Sequence, residues 1–592
     1  MRTLVAVAFV VVCASGASAR PLTLPQQLGA VDLASQANVV IRGAAAGDQA
    51  GTSVAAAGDV NGDGRGDVVV GAPGADGNGR QDSGSAYVVF GPAAPNQIDL
   101  ATLGGNGFRI DGAGAGDRTG RSVAGAGDVN GDGRADLLVG AHGADSHGQA
   151  NSGAAYVVFG RNSGAAVDLA ALGDRGFRID GGATSERAGW TVAPAGDVNG
   201  DGHPDVLVGA LFADHNLRES SGSAYVVFGA SATASVDLAA LGDRGFPIDG
   251  ASARDFTGEA IAPAGDVNGD GKGDVLVGAT FADNNGRESS GSAYVLYGKS
   301  SGAPVDLATL GDQGIRIDGA AAGDGAGAAV AAGDVNADGR RDLLVGATFS
   351  DNNARQGSGS LYVLSNVGSG IDLAAPGAGV VRIDGAATLD LAGGSVAVVG
   401  DANGDVRTDV IVGAAGADGN GRRDSGSAYV VYLDAGKPAV DLGALIGQGI
   451  RISGAEAEDG AGTAVAGAGD VNGDARADVF VGAPFADPAG RSTAGAAYVV
   501  YGFGTPKLAY RRLAATVGRR IGRHRPTIVK RTGPARFTVS PALPAGLVLD
   551  QATGVVTGTP ARSARTRAYA VTMRDLTGSA RAALTITIAP RR

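Results

Sequence analysis

Short apolar runs alternate with polar, glycine-rich stretches along nearly the whole chain. Leu137-Leu138-Val139-Gly140-Ala141 and the run Ala154 to Gly160 (AAYVVFG) are typical. Each is bounded by Gly, Asp, Asn and Ser. Runs this short, rich in β-branched residues and closed by turn formers, predict strands rather than helices. They are apolar at consecutive positions, so both faces of each strand are expected to be covered.

The pattern repeats. A nine-residue motif, D-x-N-x-D-x-x-x-D, begins at Asp59, Asp128, Asp197, Asp266, Asp334, Asp401 and Asp470, at intervals of 67 to 69 residues. Upstream of each copy lies G-x-x-V/I-A, as in Gly120 to Ala124. Downstream come a run ending V-G-A, a polar loop and an AYVVF-like run. A last short run such as Phe177-Arg178-Ile179-Asp180 precedes the next unit. About four strands per unit is the content of a propeller blade. A closed ring is expected over an open solenoid, because the end units resemble the middle ones and show no capping variants. Val39-Val40-Ile41-Arg42 matches the strand that precedes every later unit, whereas nothing of the kind follows Tyr498–Tyr501. Val39–Arg42 is therefore expected to pair with blade seven and close the ring, which removes exposed sheet edges.

Composition agrees. The chain of 592 residues is too long for one core, and 103 glycines with 5% aromatics suit many strands and tight turns. Residues 1–19 read as a signal peptide: Arg2, an apolar run from Leu4 to Val12, and Ala17-Ser18-Ala19 as cleavage site. Cys13, the only cysteine, falls inside it, so no disulfide is expected in the exported chain. The protein is expected to be secreted or associated with the cell surface, and no later run is apolar enough to span a membrane. Charge is split unevenly. Residues 504–592 carry 17 Lys and Arg against two acids, leaving 31 basic and 58 acidic residues before them. Two domains with different partners are implied.

The motif itself carries chemistry. Positions 1, 3, 5 and 9 present side-chain oxygens: Asp59, Asn61, Asp63 and Asp67; Asp128, Asn130, Asp132 and Asp136; Asp197, Asn199, Asp201 and Asp205; Asp266, Asn268, Asp270 and Asp274; Asp334, Asn336, Asp338 and Asp342; Asp401, Asn403, Asp405 and Asp409; Asp470, Asn472, Asp474 and Asp478. Hard oxygen ligands in this number suit Ca2+, up to seven ions, better than zinc, copper or magnesium. Position 7 is Arg65, Arg134, His203, Lys272, Arg340, Arg407 and Arg476. A cation does not bind cationic side chains, so these residues would contribute backbone carbonyls, and position 9 a bidentate carboxylate. An EF-hand is excluded, because position 12 is Val in every unit and the loop runs into a strand. Position 6 is Gly in five loops, Val406 in the sixth and Ala475 in the seventh. A β-branched residue in a left-handed turn costs about 1–2 kcal/mol, which makes the loop at Asp401 the weakest expected site.

With these motifs the segment 30–503 resembles the FG-GAP repeat proteins, whose best-known members are the integrin α propellers. The resemblance implies a seven-bladed β-propeller with calcium in hairpins on one face and ligand contacts on the other. The tail contains Leu543-Pro544-Ala545-Gly546-Leu547 and Thr553-Gly554-Val555-Val556-Thr557-Gly558-Thr559-Pro560. It resembles the immunoglobulin-like, cadherin-like modules of bacterial surface proteins. The expected organisation is all-β: signal peptide 1–19, propeller 30–503, linker 504–515, and an immunoglobulin-like β-sandwich at 516–592.

Other features need weighing. Arg65-Gly66-Asp67 spells an adhesive tripeptide, but Asp67 already belongs to a metal loop. The five histidines do not recur in register, and no Ser–His–Asp set follows from spacing. Trp190 replaces a small residue and reads as a packing or surface variant. In the loop after V-G-A an Asp recurs (Asp76, Asp145, Asp214, Asp283, Asp351, Asp418, Asp487), with Arg four residues on in six units (Arg80, Arg218, Arg287, Arg355, Arg422, Arg491). Each Asp is expected to hold its own turn and to pair with its neighbouring Arg; the competing reading is a ligand-recognition rim.

The function expected is that of a non-enzymatic, calcium-binding adhesion or recognition protein, monomeric, presenting loops to a protein or glycan ligand. The alternative is a propeller hydrolase or lyase acting on envelope polysaccharide or phospholipid, through an unusual loop such as His142–His147. A purely structural spacer is a third reading. The basic tail points to an anionic envelope polymer or to the acidic propeller itself, and export argues against nucleic acid.

Overall fold

The computed structural model describes residues 30–91, 96–229, 234–433, 438–445, 447–474, 476–503, 507–529, 535–575 and 578–591. The signal peptide and Ala475 lie outside them.

Seven five-stranded sheets form the blades. In blade one the strands are Ser53–Gly58 innermost, then Asp67–Ala72, Ser85–Val89 and Gly107–Asp111, all antiparallel. The second and third strands of every blade are buried at each position. Each core lies between two blades: Val69, Val88 and Phe108 of blade one pack with Leu137, Val139 and Tyr156 of blade two. That is why the runs are apolar on both faces. Each inner strand lies against the next, and the last, Ala464–Gly469, lies against the first.

Glycine sets the blade spacing. A methyl group on Gly71 would sit 1.9 Å from the carbonyl oxygen of Gly120 on the next blade. Gly120 itself adopts φ +87° and donates its N–H to Gly140 O at 2.9 Å. The V-G-A glycine of one unit and the G-x-x-V-A glycine of the next thus form one contact, repeated around the ring.

The ring closes as expected. Val39–Arg42 pairs antiparallel with the third strand of blade seven, Val39 opposite Val499 and Arg42 opposite Ala496. The four-strand expectation falls one short. A short fifth strand runs parallel to the fourth, and it comes from the connection that leads to the next blade's fourth strand. Val167–Asp168 completes blade one and Val305–Asp306 completes blade three. For blade six the fifth strand is Ala30–Asp32, from the start of the described chain. The N-terminal segment therefore seals two blades, six and seven.

The C-terminal unit has its own core around Phe537, Val571, Met573 and Leu584. Its boundary differs from the expected linker at 504–515. Lys507–Ala509 pairs with Thr527–Val529, and Leu513–Thr516 runs parallel to the strand Gly578–Ala589. Leu508, Tyr510 and Leu513 join the core, so an apolar stripe, not a spacer, begins there. The described part, 507–509 onward, belongs to the unit.

Candidate functional site

The blade order gives the ring two loop faces. Hairpins between first and second strands lie on one; the loops entering the first strand and those joining the second to the third lie on the other.

On the hairpin face each D-x-N-x-D-x-x-x-D segment is a tight, self-bonded turn. Asp59 Oδ1 accepts from Gly62 N at 2.7 Å and Asp63 N at 3.0 Å, while its Oδ2 accepts from Gly64 N at 2.7 Å. Asn61 Oδ1 accepts from Asp63 N at 2.8 Å, and Asp63 Oδ1 from Arg65 N at 3.0 Å. The bonds from the position-5 and position-6 N–H groups to the first Asp recur at Asp128, Asp197, Asp266, Asp334 and Asp401. Position 7 joins this turn through its backbone N–H, which donates to the position-5 carboxylate.

Position 9 is different. Asp67, Asp136, Asp205, Asp274, Asp342, Asp409 and Asp478 are at most 1% exposed. Asp67 Oδ2 accepts from Val60 N at 2.9 Å and Oδ1 from Gly91 N at 2.9 Å, tying the hairpin to the end of the third strand. Burial pushes Asp67 and Asp136 up to about 6, Asp205 and Asp478 to about 7, and Asp409 to about 8. Asp67 accepts two N–H bonds and Asp136 and Asp274 three each, so these carboxylates keep at least one lone pair. Among the described residues no three His, Cys, Asp or Glu side chains form a ready-made metal cluster; the oxygen set fits calcium by its chemistry and by the buried, desolvated carboxylate. Asp67 also settles Arg65-Gly66-Asp67: its carboxylate is inside the fold.

Among the described residues two hairpins hold a side-chain-bearing residue in the left-handed region. Val406 takes φ +75° and is 87% exposed, as the sixth loop's sequence implied. Position 4 also requires the left-handed region, which the sequence reading missed. It is Gly in six loops, and in the fifth Ala337 sits at φ +61°.

On the opposite face the recurrent Asp and Arg separate. Asp76 Oδ1 accepts from Asp82 N at 2.7 Å, and Asp214 and Asp487 do the same six residues on. Each Asp holds its own turn, as expected. The Arg does not pair with it. Arg80 reaches Asp168 at 2.6 Å, Arg355 reaches Asp441 at 2.7 Å, and Arg491 reaches Asp99 at 2.7 Å. These partners end the fifth strands, so each Arg clamps its blade to the incoming connection. Hydrogen bonds from Arg491 and Arg355 hold Asp99 and Asp441 below the usual carboxylate range. Blade two has Gln149 at this position, and there His147 faces Asp237 at 3.8 Å.

A second acidic series went unnoticed in the sequence: Asp48, Asp117, Glu186, Asp255, Asp324, Asp390 and Asp459, all buried. Asp255 Oδ2 accepts from Ser252 N at 2.9 Å, and Asp390 Oδ2 from Ala387 N at 2.9 Å, fixing the loop into the first strand. Their constant place before G-x-x-V-A was the available signal. In blade three the longer Glu186 accepts from Tyr225 Oη, which also bonds His215 Nε2 at 3.1 Å.

The sevenfold pattern breaks in one sector. Where the inner strands of blades two to four begin, five rings run edge to face: His142–Trp190 at 5.0 Å, Trp190–Phe212 at 6.0 Å, Phe212–Phe256 at 5.6 Å and Phe256–Phe281 at 5.6 Å. Arg121 lies 4.6 Å from the Trp190 ring centre and Arg187 5.5 Å from that of Phe212. Trp190 is thus a member of a cluster rather than an isolated packing variant.

Comparison with known proteins places the repeat. The model "FG-GAP repeat" matches residues 50–89, 119–158, 188–227, 257–296, 326–364 and 461–500. The chain carries FG-GAP repeats. The unmatched unit is blade six, which the structure nevertheless builds in full, Ser395–Gly400 through Gly449–Ser453. The C-terminal model, "Putative Ig domain", matches 523–589. Relatives of these FG-GAP repeats include a rat (Rattus norvegicus) phosphatidylinositol-glycan-specific phospholipase D, 30% identical over 29% of this chain and 20% of its own length. Integrin alpha-PS2 of Drosophila melanogaster is 31% identical over 30% of this chain and 12% of its own. Integrin alpha-3 of Cricetulus griseus is 34% identical over 18% of this chain and 9% of its own. The matched part spans a fifth or less of each relative. Among the described residues no helix is long and apolar enough to cross a membrane.

Proposed function

We propose that this FG-GAP chain is an exported, calcium-binding recognition protein without enzymatic activity, which presents the loop face opposite its hairpins to a protein or glycan. The observation that supports calcium is the position-9 series: seven buried carboxylates whose hydrogen-bond partners are N–H and O–H groups, with no Lys or Arg side chain among those described. A cation would be held in each hairpin by the side chains of positions 1, 3, 5 and 9 and the carbonyl of position 7, and would supply the neutralising charge. The ring then serves as a rigid frame for loops. Array binding of the purified chain to glycans and cell-surface extracts, with and without chelator, tests the reading. Binding abolished by chelator and restored by calcium supports it; turnover of a bound ligand would replace it.

That second reading, a hydrolase acting on envelope polysaccharide or phospholipid, draws on the phospholipase D relatives and on the Glu186–Tyr225–His215 chain. Release of product that is lost in His142→Ala or His215→Ala, with folding intact, would establish it.

A further inference from the structure

We infer that the aromatic arc of blades two to four binds a carboxylate-bearing saccharide, a pyranose of the uronic acid class. The inference rests on the recognition reading and gives it a ligand class and a place.

The residues depart from the repeat together. Arg121, Trp190 and Glu259 occupy one register position in consecutive blades, where the other blades have Thr52, Ala328, Gly394 and Thr463. A ring-wide structural need would recur in every blade; this one does not.

The site has unmet valences of three kinds. Arg121 and Arg187 rest on aromatic faces, and no ion pair to a carboxylate is found for either among the described residues. Desolvation lowers the pKa of both guanidiniums, opposed at Arg121 by the nearby Glu259 carboxylate and at Arg187 by no carboxylate. Arg118 is already committed to Asp82 at 3.3 Å. His142 is 8% exposed and its Nδ1 has no hydrogen-bond partner, nor has the buried Glu259 Oε2. Burial, with Arg121, Arg187 and Arg118 nearby, holds His142 neutral, at about 3. Beside these polar groups lie the partly exposed rings of Trp190, Phe212, Phe256 and Phe281.

A ligand that satisfies all of them needs an anion for the guanidiniums, hydroxyl donors for Glu259 and the imidazole, and an apolar C–H face for the rings. A peptide carboxylate does not carry its donors and a C–H face on one rigid ring, and a neutral sugar lacks the anion. An acidic pyranose has all three. Buried unpaired polar groups of this kind cost free energy that a ligand would recover.

Trp190 is the chain's only tryptophan, so its emission reports on this site alone. The full chain, in calcium buffer, is titrated with short oligogalacturonates and oligomannuronates that do not gel, and with neutral galacto- and manno-oligosaccharides of the same length. The expected result is a saturable change in Trp190 emission with an acidic series, at least about tenfold weaker with its neutral counterpart. Arg121→Gln, Arg187→Gln and Glu259→Gln, each checked for an unchanged melting curve, are each expected to weaken binding about tenfold or more. Arg80→Gln, in the outer clamp, is expected to bind normally. Equal response to acidic and neutral sugars, normal binding by all three variants, or no change in emission with any of the sugars overturns the site. Array binding that leaves Trp190 emission unchanged overturns the site and spares the recognition reading; absence of any ligand on the array defeats both.

Discussion

Arg422, in the loop between the second and third strands of blade six, grips Asp32 from 390 residues earlier: Nη1 to Oδ1 at 2.9 Å and Nη2 to Oδ2 at 2.8 Å. The same guanidinium donates to Gly454 O at 2.6 Å. One side chain thus joins the first described strand, the blade it completes and that blade's outer turn. Asp32→Ala is expected to cost about 1–2 kcal/mol, since the pair is half-buried and bidentate. Deleting 30–42 is expected to do more, because it opens blade seven and leaves an unpaired edge. Thermal melts and sedimentation check both; a deletion that melts like the parent as a monomer would refute the closure argument.

Val406→Gly is expected to stabilise the protein by about 0.5–1 kcal/mol, the relief of left-handed strain less glycine's added unfolded-state entropy. Ala337→Gly is expected to act in the same direction but less, alanine being unbranched. Calcium titrations of the two variants should show tighter binding in the affected hairpin. No change in stability in either would mean that the loops relax around the side chain.

Calcium should raise the melting temperature and chelator lower it, because an ion that binds only the folded chain stabilises it by mass action, about 2.7 kcal/mol at a hundredfold excess over Kd. Scans in chelator and in millimolar calcium check this. Asp136→Ala, which removes a buried carboxylate holding Val129 N and Gly160 N, should cost stability in both conditions and shrink the calcium increment by one site's share. Coincident melts with and without calcium would count against structural hairpin sites.

Acidity acts through both buried acidic series, and the second can be tested apart from the hairpins. Burial raises Asp255, Asp390 and Asp459 to about 6, above the unfolded value near 4. The folded chain binds these protons more tightly than the unfolded one. Their contribution is therefore full below about pH 4 and is lost as pH rises through about 6, on the order of 2 kcal/mol for each group. Asp255→Asn, which keeps an acceptor for Ser252 N, should flatten that part of the stability–pH curve. Urea unfolding from pH 4 to 8 measures it, and parallel curves for variant and parent would contradict the assignment.

The basic tail should act as a salt-sensitive anchor. Arg511, Arg512, Arg519, Arg520, Arg523 and Arg525 are all exposed. A chain ending at Phe503 should leave the cell envelope fraction at low salt, while the full chain should leave it only at high salt. Identical partitioning at every salt concentration would remove the anchor.

The sequence by itself determined the blade. A motif recurring every 67 to 69 residues, runs apolar on both faces, and a stray strand at Val39–Arg42 state a closed ring, because each constraint is local or repeated. It also placed Asp and Asn at fixed positions of every hairpin, where they hold the turn through backbone N–H groups. Tertiary structure decided the rest. The fifth strand has only two or three residues, too short for any periodicity to reveal, and its partner lies one blade back. The Arg of the polar loop has an Asp four residues before it in sequence, yet its partner is 85 to 392 residues away, since charge pairing follows space and not order. The arc of His142, Trp190, Phe212, Phe256 and Phe281 comes from loops and strand ends of three blades. Phe212 and Phe281 share a register with Phe349 and Phe485, but His142, Trp190 and Phe256 look like isolated irregularities until the ring brings them within ring-contact distance.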